Sequence, residues 1–283
     1  MDRGGGLLGM GDRVALLAGL VDLALEAGAV VHAYFVGECA VETKRDLSPV
    51  TAADRAAEAV ILAGLARLAP GVPVVAEEEA EAGRIPEIGA VFFLVDPLDG
   101  TKEFIRRGND FTVNIGLVEA GAPTLGVVYA PARGHLWWGD GALHEAWSAD
   151  QAVNEARGPV RRMKVMAAAS PPRAVASRSH STAATEAWLE AAAVTDRVSV
   201  GSSLKFLIVA AGKADVYPRP SPTMEWDTAA GDAVLRAAGG RVFDLDGAPL
   251  VYGKPGFRNE GFVATGPYEP APLRPFLSAA AVP

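Results

Sequence analysis

Residues 89–101, GAVFFLVDPLDGT, constrain this chain more than any other stretch. The apolar run 89–95 reads as a buried strand bounded by Pro86 and Asp96. It delivers Asp96 to the C-terminal end of a strand, where α/β folds gather their chemistry. Pro97 fixes the turn, Asp99 follows, and Gly100-Thr101 can open a helix whose first backbone N–H groups have no intrahelical partner. Two carboxylates this close repel unless a cation lies between them. A hard divalent cation such as Mg²⁺ takes oxygen ligands, and a helix N-terminus beside it suits a phosphate. Taken alone, the stretch also fits an ordinary Asp-Gly turn with Asp96 as a helix cap. Other acids weigh against that plainer reading. Glu77 follows the short apolar run 72–76, and Asp227 opens the helical stretch TAAGDAVLRAAGG. A solvated acidic face accounts for Glu78, Glu79 and Glu81. It accounts poorly for Glu77, Asp96, Asp99 and Asp227, each of which borders an apolar or helical element.

Around this stretch the hydrophobic pattern alternates helix and strand. Residues 12–36 read as an amphipathic helix, with Leu16, Leu17, Leu20, Leu23 and Ala24 at helical spacing. A polar loop or hairpin over 44–54 leads into a second helix, 53–68, that ends before Pro70-Gly71. Strands are predicted at 72–76, 111–118 and 124–130, with GHLWWGD and HEAWSAD continuing as hairpin strands. The polar, turn-rich segment 150–162 reads as a boundary between an N-terminal α+β half, 1–149, and a C-terminal α/β half, 150–283. Beyond it the pattern gives strand 163–169, helix 181–193, strand 197–200, helix 203–212, strand 214–217, helix 227–239 and strand 240–244. Such alternation places helices over a mixed or parallel sheet.

Composition excludes several functions. A net charge of −8, from 34 acidic and 26 basic side chains, argues against a nucleic-acid or anionic-membrane surface. It does not argue against a small polyanionic substrate, because Glu77, Asp96, Asp99 and Asp227 read as ligands that recruit positive charge. Cys39 is the single cysteine, which excludes a disulfide framework and a Cys-built zinc site. There is no G-x-S-x-G elbow or Walker-type loop, and the G-x-G-x-x-G match at 4–9 follows no strand pattern, so neither a serine nucleophile nor a nucleotide cofactor is indicated. The start, MDRGGGLLGMGDR, lacks the pattern of a signal peptide, and Met10 reads as an alternative start. The longest charge-free run, between Glu119 and Arg133, is shorter than the ~20 residues a bilayer span needs. Such a chain is expected to be cytoplasmic without a membrane span, with peripheral attachment to an inner membrane left open.

Three motifs, in this order and spacing, carry a resemblance: Glu77-Glu78 after a strand, VDPLDGT at 95–101, and WDTAAGDAVLRAAGG at 226–240. The chain resembles the inositol monophosphatase-like family of Mg²⁺-dependent, lithium-sensitive phosphatases. Within that family the details are similar to the bacterial 3′(2′),5′-bisphosphate nucleotidases. These details are DPLDGTKEF (96–104), FTVNIGLV (111–118), GVVYAP (126–131), SRSH (177–180), SSLKF (202–206) and PTMEWDTAAG (222–231). Where plain inositol monophosphatases usually carry Thr-Asn-Phe after Asp-Gly-Thr, this chain has Lys102-Glu103-Phe104. Arg219 stands where they have a substrate-contacting Glu, a swap that suits a second phosphate better than an inositol hydroxyl. Ala76 replaces the Ser common before the Glu pair, a change expected to matter little.

The resemblance implies an αβαβα layered sandwich with the site in a cleft between the two halves. It implies that Glu77, Asp96, Asp99, Asp227 and the Leu98 carbonyl ligate two or three Mg²⁺ ions. Gly100 and Thr101 would hold the scissile phosphate through backbone N–H groups. Thr101 and Asp54 would orient the attacking water, with Glu77 sharing in its activation, in a hydrolysis without a covalent enzyme intermediate. Ser177, His180, Gly201, Lys205 and Arg219 would hold the nucleotide, with Leu98, Asp99 and Asp227 also bordering it. Without the family, His180 reads as a surface imidazole, Lys205 as a solvated charge, Asp54 as a cap of the second helix, and Leu98 as packing. Ser177 and Gly201 read as loop residues. The implied reaction removes the 3′-phosphate of adenosine 3′,5′-bisphosphate, or of its sulfated analogue, and is inhibited by Li⁺; the implied setting is sulfur metabolism. Inositol monophosphate or fructose 1,6-bisphosphate hydrolysis in the same fold remains an alternative, as does a catalytically silent binding relative. A homodimer is left open.

Overall fold

The computed structural model describes residues 10–37, 41–43, 49–177 and 182–279. The long helix α1 (Met10–Val36) is followed by a short antiparallel pair, β1 (Val41–Thr43) and β2 (Pro49–Thr51), and by α2 (Ala52–Leu68). Then come β3 (Val74–Ala76), α3 (Glu77–Glu81), β4 (Val91–Asp99), α4 (Thr101–Ile105), β5 (Thr112–Glu119), β6 (Ala122–Ala130), β7 (His135–Asp140), β8 (Glu145–Asp150) and β9 (Arg161–Met163). The remainder is β10 (Ala174–Ser177), α5 (Ala183–Ala191), β11 (Arg197–Val200), α6 (Leu204–Ala210), β12 (Val216–Arg219), β13 (Thr223–Met224), α7 (Ala229–Ala237), β14 (Arg241–Phe243), β15 (Arg258–Asn259), β16 (Phe262–Thr265) and α8 (Arg274–Ala279).

Strands β3 to β9 form a seven-stranded sheet in sequence order, antiparallel except for the β3–β4 pair. The run in β4 is continuously apolar because both faces of this sheet are covered. Phe93 and Val95 enter a core with α1 and α2, while Phe92 and Leu94 enter a second core with α6 and α7. A second sheet, ordered β11-β10-β12-β16-β14, lies on the far side of α6 and α7. Its outer face buries Val216 and Val263 against Trp188 and Leu189 of α5 and Leu273 before α8. The layers therefore run helix, sheet, helix, sheet, helix, the expected αβαβα architecture.

Two features set how the helices sit. Gly116, Gly126 and Gly139 are cross-strand neighbours on β5, β6 and β7 and form a row under α7. A methyl group at Gly126 would lie 2.3 Å from the Ala230 carbonyl oxygen, so the row lets the helix backbone approach the sheet. On the other face, the buried Arg13 of α1 donates to both Asp140 oxygens (3.0 and 2.9 Å) and to Glu119 (2.5 Å). By length and composition α1 could span a bilayer, with a mean hydropathy of 2.1 over 18 residues, half of them buried. Its Leu16, Leu20, Leu23, Ala27 and Val31 face α2 and the large sheet.

The structure moves several expected elements. The strand expected at 163–169 is instead β9, an edge strand of the large sheet that returns past the expected boundary at 150. Its next neighbour in sequence, β10, starts at Ala174. Strand β16, between β12 and β14, was not expected, because FVAT is a short apolar run closed on both sides by glycine. The strand β4 runs through Asp96 to Asp99 rather than ending at Asp96.

Candidate active site

Residues three apart on a regular strand face opposite sides of the sheet. Asp96 and Asp99 escape that rule because β4 carries one residue more than β5 between them. Asp96 pairs with Asn114, Asp99 pairs with Thr112, and the register shifts in between. Such a bulge re-aims a side chain, and here both carboxylates turn toward one cleft. The Leu98 N–H donates to Asp96 Oδ1 (3.0 Å) within the bulge. Gly100 follows with φ of +95°, and a methyl group there would lie 2.7 Å from the Asp110 carbonyl oxygen, so the step from β4 into α4 requires glycine.

The buried Asp54 is the third residue of α2 and closes a capping box with Thr51. Its Oδ2 accepts from the Thr51 N–H (2.8 Å) and hydroxyl (2.6 Å). Its Oδ1 faces the Thr101 hydroxyl at 3.3 Å, and that hydroxyl is also 3.2 Å from the Leu98 carbonyl. The cap of the helix is Thr51 rather than Asp54, which closes the box from the third helical position and turns its other oxygen to Thr101. Thr51 escaped the sequence reading, although Thr-x-x-Asp ahead of a helix was a visible signal. Glu58, one turn further along α2, accepts the N–H groups of Glu78 (2.8 Å) and Glu79 (3.1 Å) and so fixes the start of α3, where Glu77 stands. No local signal marks Glu58, because its partners are brought by tertiary packing.

A cleft of about 330 Å³ brings together Glu77, Asp99, Gly100, Thr101, Gly201, Lys205, Arg219 and Asp227. Asp96, 2% exposed, lies beneath it. Asp227 precedes α7 and accepts the Met224 N–H (2.8 Å). Lys205 on α6 is buried, with its ammonium donating to the Ser202 carbonyl and 5.4 Å from the Tyr217 ring. Burial pulls that ammonium down to about 8, against the attraction of Asp99. The Gly201 N–H donates to Asp110 Oδ2 (3.0 Å). Ser177 ends β10, and His180 lies outside the described residues. The carboxylate oxygens of Glu77, Glu78 and Glu81 also come within 4.8 Å of one another, so part of the expected solvated acidic face turns toward Glu77.

Charge explains why these acids gather. Burial, with the negative charges of Glu77, Asp99 and Asp227, pushes Asp96 well above the usual carboxylate range. Burial also raises Asp99, against the pull of Lys205, and raises Glu58 to about 7. Four carboxylates and a carbonyl are all hard oxygen donors, and a divalent cation such as Mg²⁺ offsets their repulsion. The donor set fits that cation.

Each of these folded-state values lies above its unfolded one. Their stabilising contribution is complete below about pH 4 and is lost as the pH rises through the folded values, about 7 for Glu58. The chelator-treated protein should therefore melt at a lower temperature at pH 7.5 than at pH 5 in scanning calorimetry. Mg²⁺ should restore the midpoint at pH 7.5 and have little effect at pH 5, where the carboxyls hold protons. A metal-free midpoint that rises over this interval would contradict the assigned burial of the acids.

Comparison with known proteins agrees with this geometry. The model of the inositol monophosphatase family matches residues 12–269. The chain is 43% identical to the 3′(2′),5′-bisphosphate nucleotidase CysQ of Shigella flexneri, over 87% of this chain and 98% of that protein. CysQ of Escherichia coli K12 shows the same identity and coverage. Among solved structures, CysQ from Bacteroides thetaiotaomicron superposes with a TM-score of 0.74 at 35% identity, covering 89% of this chain and 97% of that one. An inositol monophosphatase from Anabaena superposes at 0.69 with 26% identity, covering 96% and 98%.

Proposed function

The chain belongs to the inositol monophosphatase family, and from that premise we propose that it is a 3′(2′),5′-bisphosphate nucleotidase. It removes the 3′-phosphate of adenosine 3′,5′-bisphosphate, or of the sulfated analogue, with water to give inorganic phosphate and the 5′-nucleotide. The observation that carries the choice of substrate is the pairing of charges in one cleft. Lys205 and Arg219 line the same cavity as the carboxylates, and both act on the Asp99 charge. Guanidinium and ammonium groups beside a metal-type site suit a substrate with two phosphates. The two halves of the chain, 1–149 and 150–283, supply the opposite walls.

Glu77, Asp96, Asp99, Asp227 and the Leu98 carbonyl are the groups that would hold two or three Mg²⁺ ions. Bound there, the cations supply a water of lowered pKa and neutralise charge on the leaving ribose oxygen. The chain's own residues do the rest. Asp54 has Oδ2 committed to Thr51, so Oδ1 is the oxygen that takes the Thr101 hydroxyl hydrogen. Thr101, with its hydrogen given to Asp54, keeps oxygen lone pairs that can orient the attacking water. The backbone N–H groups of Gly100 and Thr101 hold the scissile phosphate, and the left-handed Gly100 sets their direction. Ser177, His180, Gly201, Lys205 and Arg219 hold the nucleotide, with the two cationic side chains on its second phosphate.

Phosphate release from adenosine 3′,5′-bisphosphate, inositol 1-phosphate and fructose 1,6-bisphosphate, each with Mg²⁺ and with added Li⁺, tests the proposal. The bisphosphorylated nucleotide should exceed the other two in kcat/KM by about 10²-fold, the worth of one or two charge-assisted contacts, and Li⁺ should inhibit. Equal turnover of inositol 1-phosphate would move the chain to the inositol monophosphatases proper. Loss of all Mg²⁺ binding would move it to the silent relatives.

A further inference from the structure

Residues 201–203 join β11 to α6 and lie against the ends of β4 and β5, where a run of buried polar contacts ties the second half of the chain to the first. The Thr112 hydroxyl is 3.1 Å from Ser202 Oγ and 2.9 Å from Ser203 Oγ. Ser203 Oγ donates to Asn114 Oδ1 (2.8 Å), and the Ser203 N–H donates to Asp99 Oδ2 (2.5 Å). A hydroxyl has one hydrogen. Ser203 gives its hydrogen to Asn114, so Thr112 must donate to Ser203, and Ser202 is left to donate toward Thr112 or Asp99. The relay ends at Asn114, which is fully buried and pairs across the sheet with Asp96. The turn itself is strained, because Ser202 adopts φ of +46° without glycine's freedom. The Gly201 N–H on Asp110, which Arg133 grips in turn, anchors its near end.

Packing alone does not account for these residues. Thr112 is 0% exposed at the first position of β5, where Val fills the same volume, favours strand as well and buries no hydroxyl. We propose that Thr112 and Asn114, acting through Ser203, are positioning residues that lock the 201–203 turn onto Asp99. They direct one Asp99 oxygen to the turn and the other to the cation, and they aim Lys205 at the substrate. The substrate arm rests on the bisphosphate proposal above; the cation arm rests only on Asp99 as a ligand.

Thr112→Val and Thr112→Ser test this, with Mg²⁺ binding by calorimetry, kcat and KM for adenosine 3′,5′-bisphosphate, and the melting temperature as readouts. Thr112→Val should weaken Mg²⁺ binding and raise KM by about tenfold each, with Thr112→Ser restoring both to within about threefold, as for groups that orient metal ligands. Melting should change little in either variant, since a structural role alone would move stability and leave binding intact. Mg²⁺ affinity and KM in Thr112→Val within about twofold of the parent would overturn the proposal. If Thr112→Val does not fold, Ser203→Ala, which keeps the N–H to Asp99, is read against the same thresholds. If the parent enzyme ignores the bisphosphate, the substrate proposal fails while the calorimetric arm still decides the positioning role.

Discussion

Asp96→Asn is expected to cut turnover severely and, at the same time, to stabilise the metal-free protein. The carboxylate lies buried with the charges of Glu77, Asp99 and Asp227 around it, and without a cation its ionised form is opposed by both burial and repulsion. Asn keeps the shape and the oxygen that accepts the Leu98 N–H. It removes the charge, so the gain should be about 1–2 kcal/mol, in the range typical when a strained site is relieved. For a chain of this size that is roughly 2–8 °C in melting temperature. The sign depends on pH. A carboxyl raised in the folded state costs nothing below about pH 4, so the gain should be present at pH 8 and vanish near pH 4. On the proposed ligation Mg²⁺ should reverse the order, because the variant lacks one of the groups that would hold the cation. Activity should fall by about 10³-fold, as when a charge-stabilising group is removed from a reacting centre. A variant that melts lower than the parent in chelator at pH 8 would show that Asp96 is not the charged, buried member of this cluster.

Gly126→Ala should be the most damaging methyl group that can be added to the large sheet. The new carbon would meet the Ala230 carbonyl oxygen at 2.3 Å and the Ala233 Cβ at 2.8 Å. The first of these is helix backbone, which cannot swing aside as a long side chain can. Either α7 lifts from the sheet or β6 bends, and overpacking of this kind costs about 1–3 kcal/mol. The melting temperature should fall by roughly 2–12 °C. The effect reaches the site because Asp227 stands just ahead of α7 and moves with it. Misplacement of a reacting group by about 1 Å can cost 10²-fold in rate, so kcat/KM should drop by about that factor and Mg²⁺ affinity should weaken in parallel. Gly89→Ala is the control: nothing lies within 4 Å of the added carbon, and melting, Mg²⁺ binding and turnover should all stay as in the parent. If Gly126→Ala behaves like the control, α7 is not seated on the glycine row.

What could be read from the sequence was local, and what could not was a matter of partners. The apolar run ending in Asp96 and the acids Glu77, Asp99 and Asp227 are visible because each borders an element whose pattern is strong over a few residues. The bulge between Asp96 and Asp99 is invisible, since an extra residue exists only relative to the count along β5. Glu58 looks like any helix glutamate until α3 arrives to place two N–H groups on it. Thr112 and Asn114 sit in FTVNIGLV, a stretch that reads as a plain strand with two polar interruptions. Their meaning appears only when residues 201–203 fold over them. The capping box of Thr51 and Asp54 stood in plain view and was passed over in favour of Asp54 alone. Strands β9 and β16 were misplaced or missed because each is too short for alternation to declare itself.

The anchoring of Arg13 carries a consequence for synthesis. Its two carboxylate partners lie 106 and 127 residues further along the chain. At about 5–20 residues per second, a ribosome needs roughly 5–21 s to make the second of them after the helix itself has been made. During that interval an apolar helix of bilayer length has neither its sheet nor its counter-ions. In that state its length and mean hydropathy are those of a bilayer span, and the charges that oppose insertion are Asp22 and Glu26 within the helix and Arg13 near its start, with no partner yet made.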